Sequence, residues 1–426
     1  MSPVAPIPAG GVLLHVGMPK SGTTAIQRAA SQLRTELLEH GVRYPGDRYN
    51  HSLASFAVAE RPRKATLATG HKKTDESHWT GLVAEVRAET ERRVLISHEF
   101  FAEHPAEVCR RVVAELDREV HVVFTMRNQA SLLASTWQQY LKSGATWTFD
   151  EWLDLVLGDR TGANHSFDRR TDLSGVVDKW GGIVGLENVT VVVLDRAEPD
   201  RLTDTFEDLL DLPRSLLGAV DLSGDHANRS FVASEIELLR ELNLALRGST
   251  KLSWSQFREL YRGGGIFRLL AREPGTDEAT IATPQWAVDE MTARARAHVE
   301  RLAASGVRVV GDLEALARPV RGVPQTPPAP TQVPLLAARA LALGILEGAV
   351  ELDAAAEARH RAALERATTA RSVRPVPAPR GPWRTQVRTS TRATQDVPAR
   401  VLAQALLGRT ALRLRSLVDR SPRTKD

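Results

Sequence analysis

Hydrophobic residues along the chain fall into short apolar runs, separated by longer stretches in which they recur at helical spacing. The runs are residues 12–16, 93–97, 120–125 and 189–194, and residues 41–45 predict a further short strand that ends at proline. Short apolar runs bounded by turns are typical of strands covered on both faces in a parallel sheet. Between the runs, apolar residues return every three or four positions, as they do along the surface of a helix. The pattern therefore predicts an α/β fold with three layers, α/β/α, around a central and mostly parallel sheet.

The stretch VLLHVGMPKSGTTAIQ, residues 12–27, predicts a strand, a loop bounded by Gly17 and Gly22, and a helix that ends at Gly41. Backbone N–H groups of such a loop converge, and the positive end of the helix dipole favours a bound anion. The side chains that add a cation and two hydroxyl donors are Lys20, Thr23 and Thr24. The loop is therefore predicted to bind a phosphate or a sulfate.

The two glycines fit the Walker A pattern, G-x-x-x-x-G-K-[ST], but Thr23 stands where that pattern requires lysine. The sequence PKSGTT instead resembles the 5′-phosphosulfate loop of sulfotransferases that use 3′-phosphoadenosine 5′-phosphosulfate (PAPS). The resemblance implies that the 5′-phosphate and the sulfuryl group are held by Pro19, Lys20, Ser21, Gly22, Thr23 and Thr24. It also implies a fold related to the P-loop NTPases, PAPS as the sulfuryl donor and no metal.

A second segment of the same kind follows the apolar run 120–125. Arg127 comes directly after this predicted strand, and Ser135 lies eight residues further along, on the predicted helix 129–142. Ligands of open α/β sheets bind at the carboxyl ends of strands, and arginine grips phosphate through two parallel hydrogen bonds. The spacing resembles the segment that binds the 3′-phosphate in the sulfotransferase family, with Arg127 and Ser135 as its anchors.

The base that would take the proton of an acceptor hydroxyl is predicted from His98 and Glu99, which follow the strand 93–97. That strand is expected beside the loop strand, which brings both side chains over the same crevice. Glu99 is favoured because an exposed carboxylate is already ionised at neutral pH, and His98 is the alternative because the usual pKa of histidine suits a general base. Lys20 would offset the charge on the oxygen that leaves.

Adenine recognition departs from the family pattern. Many members have an aromatic residue directly after the GTT sequence, and here it is Ala25. Trp137 and the loop 225–230 are the alternatives for holding the base. Arg229, and Arg262 beside three glycines, are expected either to approach the nucleotide or to lie at helix–helix turns.

The rest of the chain predicts an appendage to this domain. Residues 1–318 form the predicted sulfotransferase-like domain, 319–334 a proline-rich linker, and 335–426 a helical, basic and partly disordered C-terminal region. From 371 to 426 there are 13 Lys or Arg residues and 3 Asp. Nothing there matches a nucleic-acid-binding module. A solvated tail, weak contact with a membrane surface, and contact with another subunit stay open.

The single cysteine, Cys109, excludes an internal disulfide and is predicted to be buried in a helix. The first residues lack the features of a signal peptide, so we expect a cytoplasmic protein. The function predicted is sulfuryl transfer from PAPS to a hydroxyl or amine of a small molecule or carbohydrate. A P-loop nucleotide hydrolase or kinase, in which Asp195 would bind magnesium, and a catalytically silent nucleotide-binding scaffold are the alternatives. The acceptor and the oligomeric state stay open.

Overall fold

The computed structural model describes residues 4–18, 20–62, 65–69, 73–158, 165–220, 229–249 and 252–372. The chain divides into two compact units, residues 1–362 and residues 363–426. The sheet and the site described below belong to the first unit.

One sheet organises this unit, and all of its strand pairs are parallel. Its strands are β1 (Val12–His15), β2 (Val42–Arg43), β3 (Arg93–Ser97), β4 (Val120–Met126), β5 (Val189–Val193) and β6 (Arg308–Val310). Their order is β2–β3–β1–β4–β5–β6, so β1 lies in the interior with β3 on one side and β4 on the other. The predicted α/β fold and the predicted pairing of the strand 93–97 with the loop strand are both confirmed.

Helices connect these strands. They are α1 (Thr23–Gln32), α2 (Arg34–Glu39), α3 (Ser52–Val58), α4 (Ser77–Ala88), α5 (Ala106–Leu116), α6 (Leu133–Leu141), α7 (Phe149–Leu157), α8 (His165–Thr171), α9 (Leu173–Val184), α10 (Arg201–Leu210), α11 (Ala233–Ser249), α12 (Trp254–Gln256), α13 (Phe267–Leu270), α14 (Gln285–Ser305) and α15 (Leu335–Ser372). A π-helix, Phe257–Ile266, joins α12 to α13, and short 3₁₀ turns cover Glu99–Glu103, Ala130–Leu132, Leu186–Asn188 and Leu313–Ala317.

The alternation of side chains along β1 divides the core between the two faces of the sheet. Val12 and Leu14 belong to the cluster that includes residues of α4, α5, α9 and α14. Leu13 belongs to the opposite cluster, with residues of α1, α2 and α10. A third cluster joins α6, α7, α11, the π-helix and α14 beside the sheet. The layers α/β/α thus follow from strands that are apolar on both faces.

Several predicted boundaries need correction. The single helix expected to reach Gly41 is two helices, because the backbone at Leu33 (φ −97°, ψ 25°) leaves helical geometry between α1 and α2. Gly41 does have the positive φ of 75° expected after a helix. Ser135 lies in the first turn of α6 rather than two turns into a helix, because a 3₁₀ turn precedes it. Cys109 is buried in α5 as predicted, and burial raises the pKa of its thiol to about 11.

The proline-rich segment after residue 318 makes contacts with the rest of the first unit. The Val323 N–H donates to the Thr283 carbonyl at 3.0 Å, and its own carbonyl accepts from Gln285 at 2.7 Å. At the start of α15, Ala337 and Leu341 are 0% and 7% exposed. Within the described residues, no helix is long and apolar enough to cross a membrane.

Candidate functional site

The loop after β1 lies at the carboxyl edge of the sheet, between the ends of β3 and β4. The Met18 N–H donates to the Thr125 carbonyl of β4 at 3.0 Å, and the His98 N–H donates to the His15 carbonyl at 3.2 Å. Three strand ends carrying predicted site residues are therefore side by side. In open α/β sheets, this point, where neighbouring strands connect in opposite directions, is where ligands bind.

Both loop glycines are required by the packing. A Cβ atom on Gly17 would lie 2.1 Å from Thr23 Cγ2 and 2.6 Å from Thr125 Oγ1. Gly22 has a φ of 78°, and a Cβ there would lie 2.7 Å from a methyl group of Leu202. The loop is therefore held tight against the start of α1, which begins at Thr23 without a side-chain cap. Pro19, the remaining loop residue of the predicted set, lies outside the described residues.

Lys20 combines a strained backbone with an open side chain. Its φ of 66° is left-handed, a conformation that costs an L-residue roughly 1–2 kcal/mol. The side chain is exposed to solvent, and desolvation of its ammonium lowers the pKa, against the attraction of the Glu99 carboxylate. Lys20 and Glu99 thus follow neighbouring strand ends and interact electrostatically.

The hydroxyl groups of the loop are used in different ways. Ser21 is fully buried, and its hydroxyl donates to the Met18 carbonyl at 2.5 Å, so the side chain stabilises the turn and does not face a ligand. Thr23 is 6% exposed and Thr24 is half-buried, both in the first turn of α1. Their side chains lie beside the uncapped helix N-terminus, where backbone donors lack intrahelical partners.

The sequence does not predict the buried chain of hydrogen bonds that lies beneath the loop. The His15 ring bonds Thr125 Oγ1 through Nε2 at 3.1 Å and Ser97 Oγ through Nδ1 at 2.8 Å. Thr125 Oγ1 lies 2.8 Å from Ser21 Oγ, and Gln27 donates to Ser97 Oγ at 3.3 Å. Burial lowers the pKa of His15 to about 3, with repulsion from His98 as a second cause, so the ring is neutral.

The direction of each bond in this chain is fixed by the one proton of each hydroxyl. Since Ser21 donates to a carbonyl, Thr125 donates to Ser21, His15 Nε2–H donates to Thr125, and Ser97 donates to His15 Nδ1. The chain ties the loop to β1, β3 and β4 together. The sequence signal that points to it is His15, which stands inside the otherwise apolar run 12–16, two residues before Gly17.

His98 and Glu99 differ in exposure and in the atoms they leave free. The His98 side chain is 3% exposed and that of Glu99 is 28% exposed. His98 Nδ1 accepts the Phe100 N–H at 3.2 Å, and Nε2 lies 3.7 Å from the Glu99 carboxylate. Desolvation lowers the pKa of His98 despite the attraction of Glu99 and Glu103, so its neutral ring carries the proton on Nε2.

Arg127 and Ser135 lie at the end of β4 and in the first turn of α6. Both are half-buried. Desolvation, and repulsion from Arg196, lower the pKa of Arg127, and among the described residues no carboxylate pairs with it. The Ser135 hydroxyl donates its proton to the Leu132 carbonyl at 2.9 Å. In this orientation the Ser135 oxygen can accept a further hydrogen bond but cannot donate one. Arg127 is thus a cation at the carboxyl edge of the sheet, without a counter-ion in the part of the chain that the structure describes.

Three residues that the sequence suggests as nucleotide contacts or as a magnesium ligand have other partners in the structure. Arg229 pairs with the buried Glu235 at 2.7 Å. Trp137 is 3% exposed and donates to the Trp147 carbonyl, so its ring is not open for stacking on adenine. Asp195 accepts the Ala197 N–H and pairs with Arg318 at 2.7 Å, as a turn residue does.

Residues 225–228, part of the loop predicted as an alternative for holding adenine, lie outside the described residues. Among the described residues there is no group of three or more His, Cys, Asp or Glu side chains placed to hold a metal ion.

Comparison with known proteins gives little beyond this geometry. No protein-family model matches the chain, and no curated protein matches it. The crystal structure of a sulfotransferase from Alicyclobacillus acidocaldarius is similar over 60% of this chain and 100% of that chain, with a TM-score of 0.33 and 18% sequence identity. A likeness at that TM-score and identity decides nothing about function, so the site itself has to carry the functional proposal.

Proposed function

We propose that this protein transfers a sulfuryl group from PAPS to a hydroxyl or amine of a small molecule or carbohydrate. The observation that carries the proposal is that three neighbouring strand ends bring together the glycine-bounded loop with Lys20, Glu99 and Arg127, and Arg127 has no carboxylate partner among the described residues. A cation and a carboxylate at one site suit sulfuryl transfer, because the leaving oxygen gains negative charge while the acceptor loses a proton.

The loop lies where an anionic donor would be favoured. Gly17 packs directly against Thr23 and Thr125, so the loop is held close to the start of α1, and the N-terminus of a helix favours a bound phosphate. Lys20, Thr23, Thr24 and the N–H groups that begin α1 would hold the 5′-phosphosulfate. Arg127, with Ser135 as a neighbour, would hold the 3′-phosphate.

Bound PAPS supplies the sulfuryl group and the leaving phosphate. In the transfer, the acceptor oxygen bonds to sulfur as the sulfur–oxygen bond to the 5′-phosphate breaks. Glu99 takes the proton of the acceptor, and Lys20 offsets the charge that develops on the bridging oxygen. Because such transfers have loose in-line transition states, positioning and charge account for most of the catalysis.

The rival P-loop hydrolase needs a lysine after Gly22 and an aspartate free to bind Mg²⁺. Thr23 occupies the first position, and Asp195 is engaged by Ala197 and Arg318. No observation on the described residues favours that function.

Nucleotide binding tests the proposal directly. We expect 3′-phosphoadenosine 5′-phosphate (PAP) to bind in calorimetry without Mg²⁺, and more tightly than ATP or GTP. Arg127→Ala removes a charged pair with a phosphate dianion, which costs about 2–3 kcal/mol, or roughly 30- to 150-fold in Kd.

Arg196→Ala is the matched control, since it removes the neighbouring cation. Binding that depends on Mg²⁺, or tighter binding of ATP than of PAP, would rule out the sulfotransferase proposal. Equal PAP affinity in the wild type and Arg127→Ala would show that Arg127 does not hold the 3′-phosphate.

A further inference from the structure

Lys142, at the C-terminal end of α6, is a buried cation that the proposed reaction does not use. It is 6% exposed, and its ammonium lies 4.9 Å from the ring centre of Phe231. In the part of the chain that the structure describes, no carboxylate pairs with it and its ammonium donates no hydrogen bond. Buried lysines are ordinarily paired, because removing a charge from water is costly.

Other cations face Lys142. Desolvation, followed by repulsion from Lys20, Arg262 and Arg229, lowers the pKa of its ammonium to about 7. The charge of Arg229 is compensated by Glu235. Among the described residues Arg262, like Lys142, has no carboxylate partner, and the polar groups that interact with it electrostatically are the hydroxyls of Tyr261 and Tyr49. Lys142 and Arg262 therefore leave uncompensated positive charge beside Lys20.

The backbone that carries Arg262 is itself unusual. Arg262 lies in the π-helix Phe257–Ile266, and π-helical turns are found frequently at functional sites. Gly264 of this helix is packed so closely against α15 that a Cβ there would lie 2.1 Å from the Gly344 carbonyl. The segment is thus held in position by packing, and it presents an exposed arginine.

The charges of the donor are already matched by other residues. In the proposed function, Lys20 binds the phosphosulfate and Arg127 the 3′-phosphate, and the cation that repels Arg127 is Arg196. The cations that repel Lys142 are instead Lys20, Arg262 and Arg229. The hydroxyl of Tyr261, next to Arg262 in the chain, donates to the carbonyl of Leu141, next to Lys142, at 3.2 Å. On the proposed function, Lys142 and Arg262 therefore lie nearer to the phosphosulfate than to the 3′-phosphate, and the acceptor has to approach the phosphosulfate.

We propose that Lys142 and Arg262 bind an anionic group of the acceptor, so that the substrate is a hydroxyl or amine compound that also carries a carboxylate, phosphate or sulfate ester. This inference rests on the proposed sulfotransferase function. Tyr49, which faces Arg262, belongs to the segment after β2 where the acceptor is expected to enter. A bound anion would compensate the two cations, which lack a counter-ion within the described residues.

The first test needs no ligand. Lys142→Met keeps the length of the side chain and its contact with Phe231, and it removes the buried charge. We expect its Tm to rise by about 2–5 °C at pH 7, since an uncompensated buried charge destabilises the fold. Lys73→Met, at an exposed lysine, is the matched control and should leave Tm unchanged. A lower Tm for Lys142→Met would overturn the inference, because it would show that the chain itself compensates this charge.

The second test uses probe pairs that differ in charge but hardly in size: 4-hydroxybenzoate with 4-hydroxybenzamide, and D-glucuronate with D-glucose. Calorimetry on the PAP-saturated full-length protein should show that one acid or both bind more tightly than the neutral partner, by roughly tenfold or more. Lys142→Met and Arg262→Gln should each reduce that preference by about the same factor, and Lys73→Met should not.

Equal binding of the acid and neutral probes would overturn the inference. A tenfold loss of PAP affinity in Lys142→Met would also overturn it, by assigning Lys142 to the donor site. If the proposed sulfotransferase function is wrong, the wild-type protein will not bind PAP, and this result differs from every outcome that overturns the inference. In that case the Tm comparison and the probe titrations without PAP still decide whether Lys142 and Arg262 form an anion site.

Discussion

Each ring nitrogen of His98 has a different neighbour, and this decides which proton the ring carries. Nδ1 accepts the Phe100 N–H at 3.2 Å, so the neutral ring has its proton on Nε2, the nitrogen near Glu99. A general base needs a free lone pair in reach of the acceptor. The Glu99 carboxylate is more exposed and faces Lys20. At the residue scale, the geometry therefore supports Glu99 as the base and His98 as the residue that begins its 3₁₀ turn.

Glu99→Gln tests this assignment. Glutamine keeps the size of the side chain but cannot take a proton, so the rate of sulfuryl transfer should fall by about 10²- to 10⁴-fold. PAP affinity should not fall, because Lys20 keeps its charge. Transfer is measured with radiolabelled PAPS and an acidic acceptor, and PAP affinity by calorimetry.

His98→Asn is the matched control. The asparagine oxygen replaces Nδ1 as acceptor for the Phe100 N–H, as asparagine does at helix N-termini. We expect transfer within about tenfold of the wild type. If His98→Asn abolished transfer while Glu99→Gln did not, the histidine would be the base.

At the scale of elements, α15 shapes the site through glycines. A Cβ on Gly344 would lie 2.4 Å from the Gly264 carbonyl, and one on Gly348 would lie 2.3 Å from the Glu259 carbonyl. Both clashes are with the backbone of the π-helix, which cannot turn aside as a side chain does. The close contact of these two helices fixes the segment that carries Arg262.

Gly344→Ala should therefore separate α15 from the π-helix. We expect a loss of stability of about 1–3 kcal/mol, the usual effect of overpacking, measured by denaturant unfolding. Gly81→Ala, in α4, is the control, because a Cβ there meets nothing within 4 Å. It should stabilise the protein by about 0.5–1 kcal/mol, as alanine does in place of glycine in a helix. A Gly344→Ala protein as stable as the wild type would contradict the packing role of α15.

At the scale of the whole molecule, the first compact unit reaches residue 362, well beyond the proline-rich segment. The sequence predicts a domain boundary at residue 318, on the argument that few contacts cross a proline-rich linker. The hydrogen bonds of Val323 and the buried Ala337 and Leu341 are such contacts. We therefore propose that the folded domain includes α15 up to about residue 362.

Two truncations separate these boundaries. A chain that ends at Arg318 loses the residues that cover the third core cluster and the π-helix, so it should be insoluble or unfold at a lower Tm than the full chain. A chain that ends at Ala362 should remain folded and bind PAP with the affinity of the full chain. A soluble, PAP-binding chain ending at Arg318 would support the boundary predicted from proline content instead.

Part of the fold follows from local sequence patterns alone. The apolar runs predict the buried parallel strands, since a strand covered on both faces must be apolar on both. The glycines at positions 17 and 22 predict the tight loop, and packing excludes a Cβ at both of them, with a positive φ as a further reason at Gly22. The PKSGTT sequence is identified by its resemblance to a known loop. Arg127 and the pair His98 and Glu99 are identified because they directly follow predicted strands, where ligands of α/β sheets bind.

The tertiary structure decided what depends on residues far apart in the chain. The bond between His15 and Thr125 spans 110 residues, and no local pattern contains it. Lys142 resembles any lysine at a helix end until packing buries it beside Lys20, Arg262 and Phe231. The positions of the two edge strands, the nitrogen of His98 that carries the proton, and the cations that lack a counter-ion among the described residues are set by packing, because each depends on how separate elements lie together.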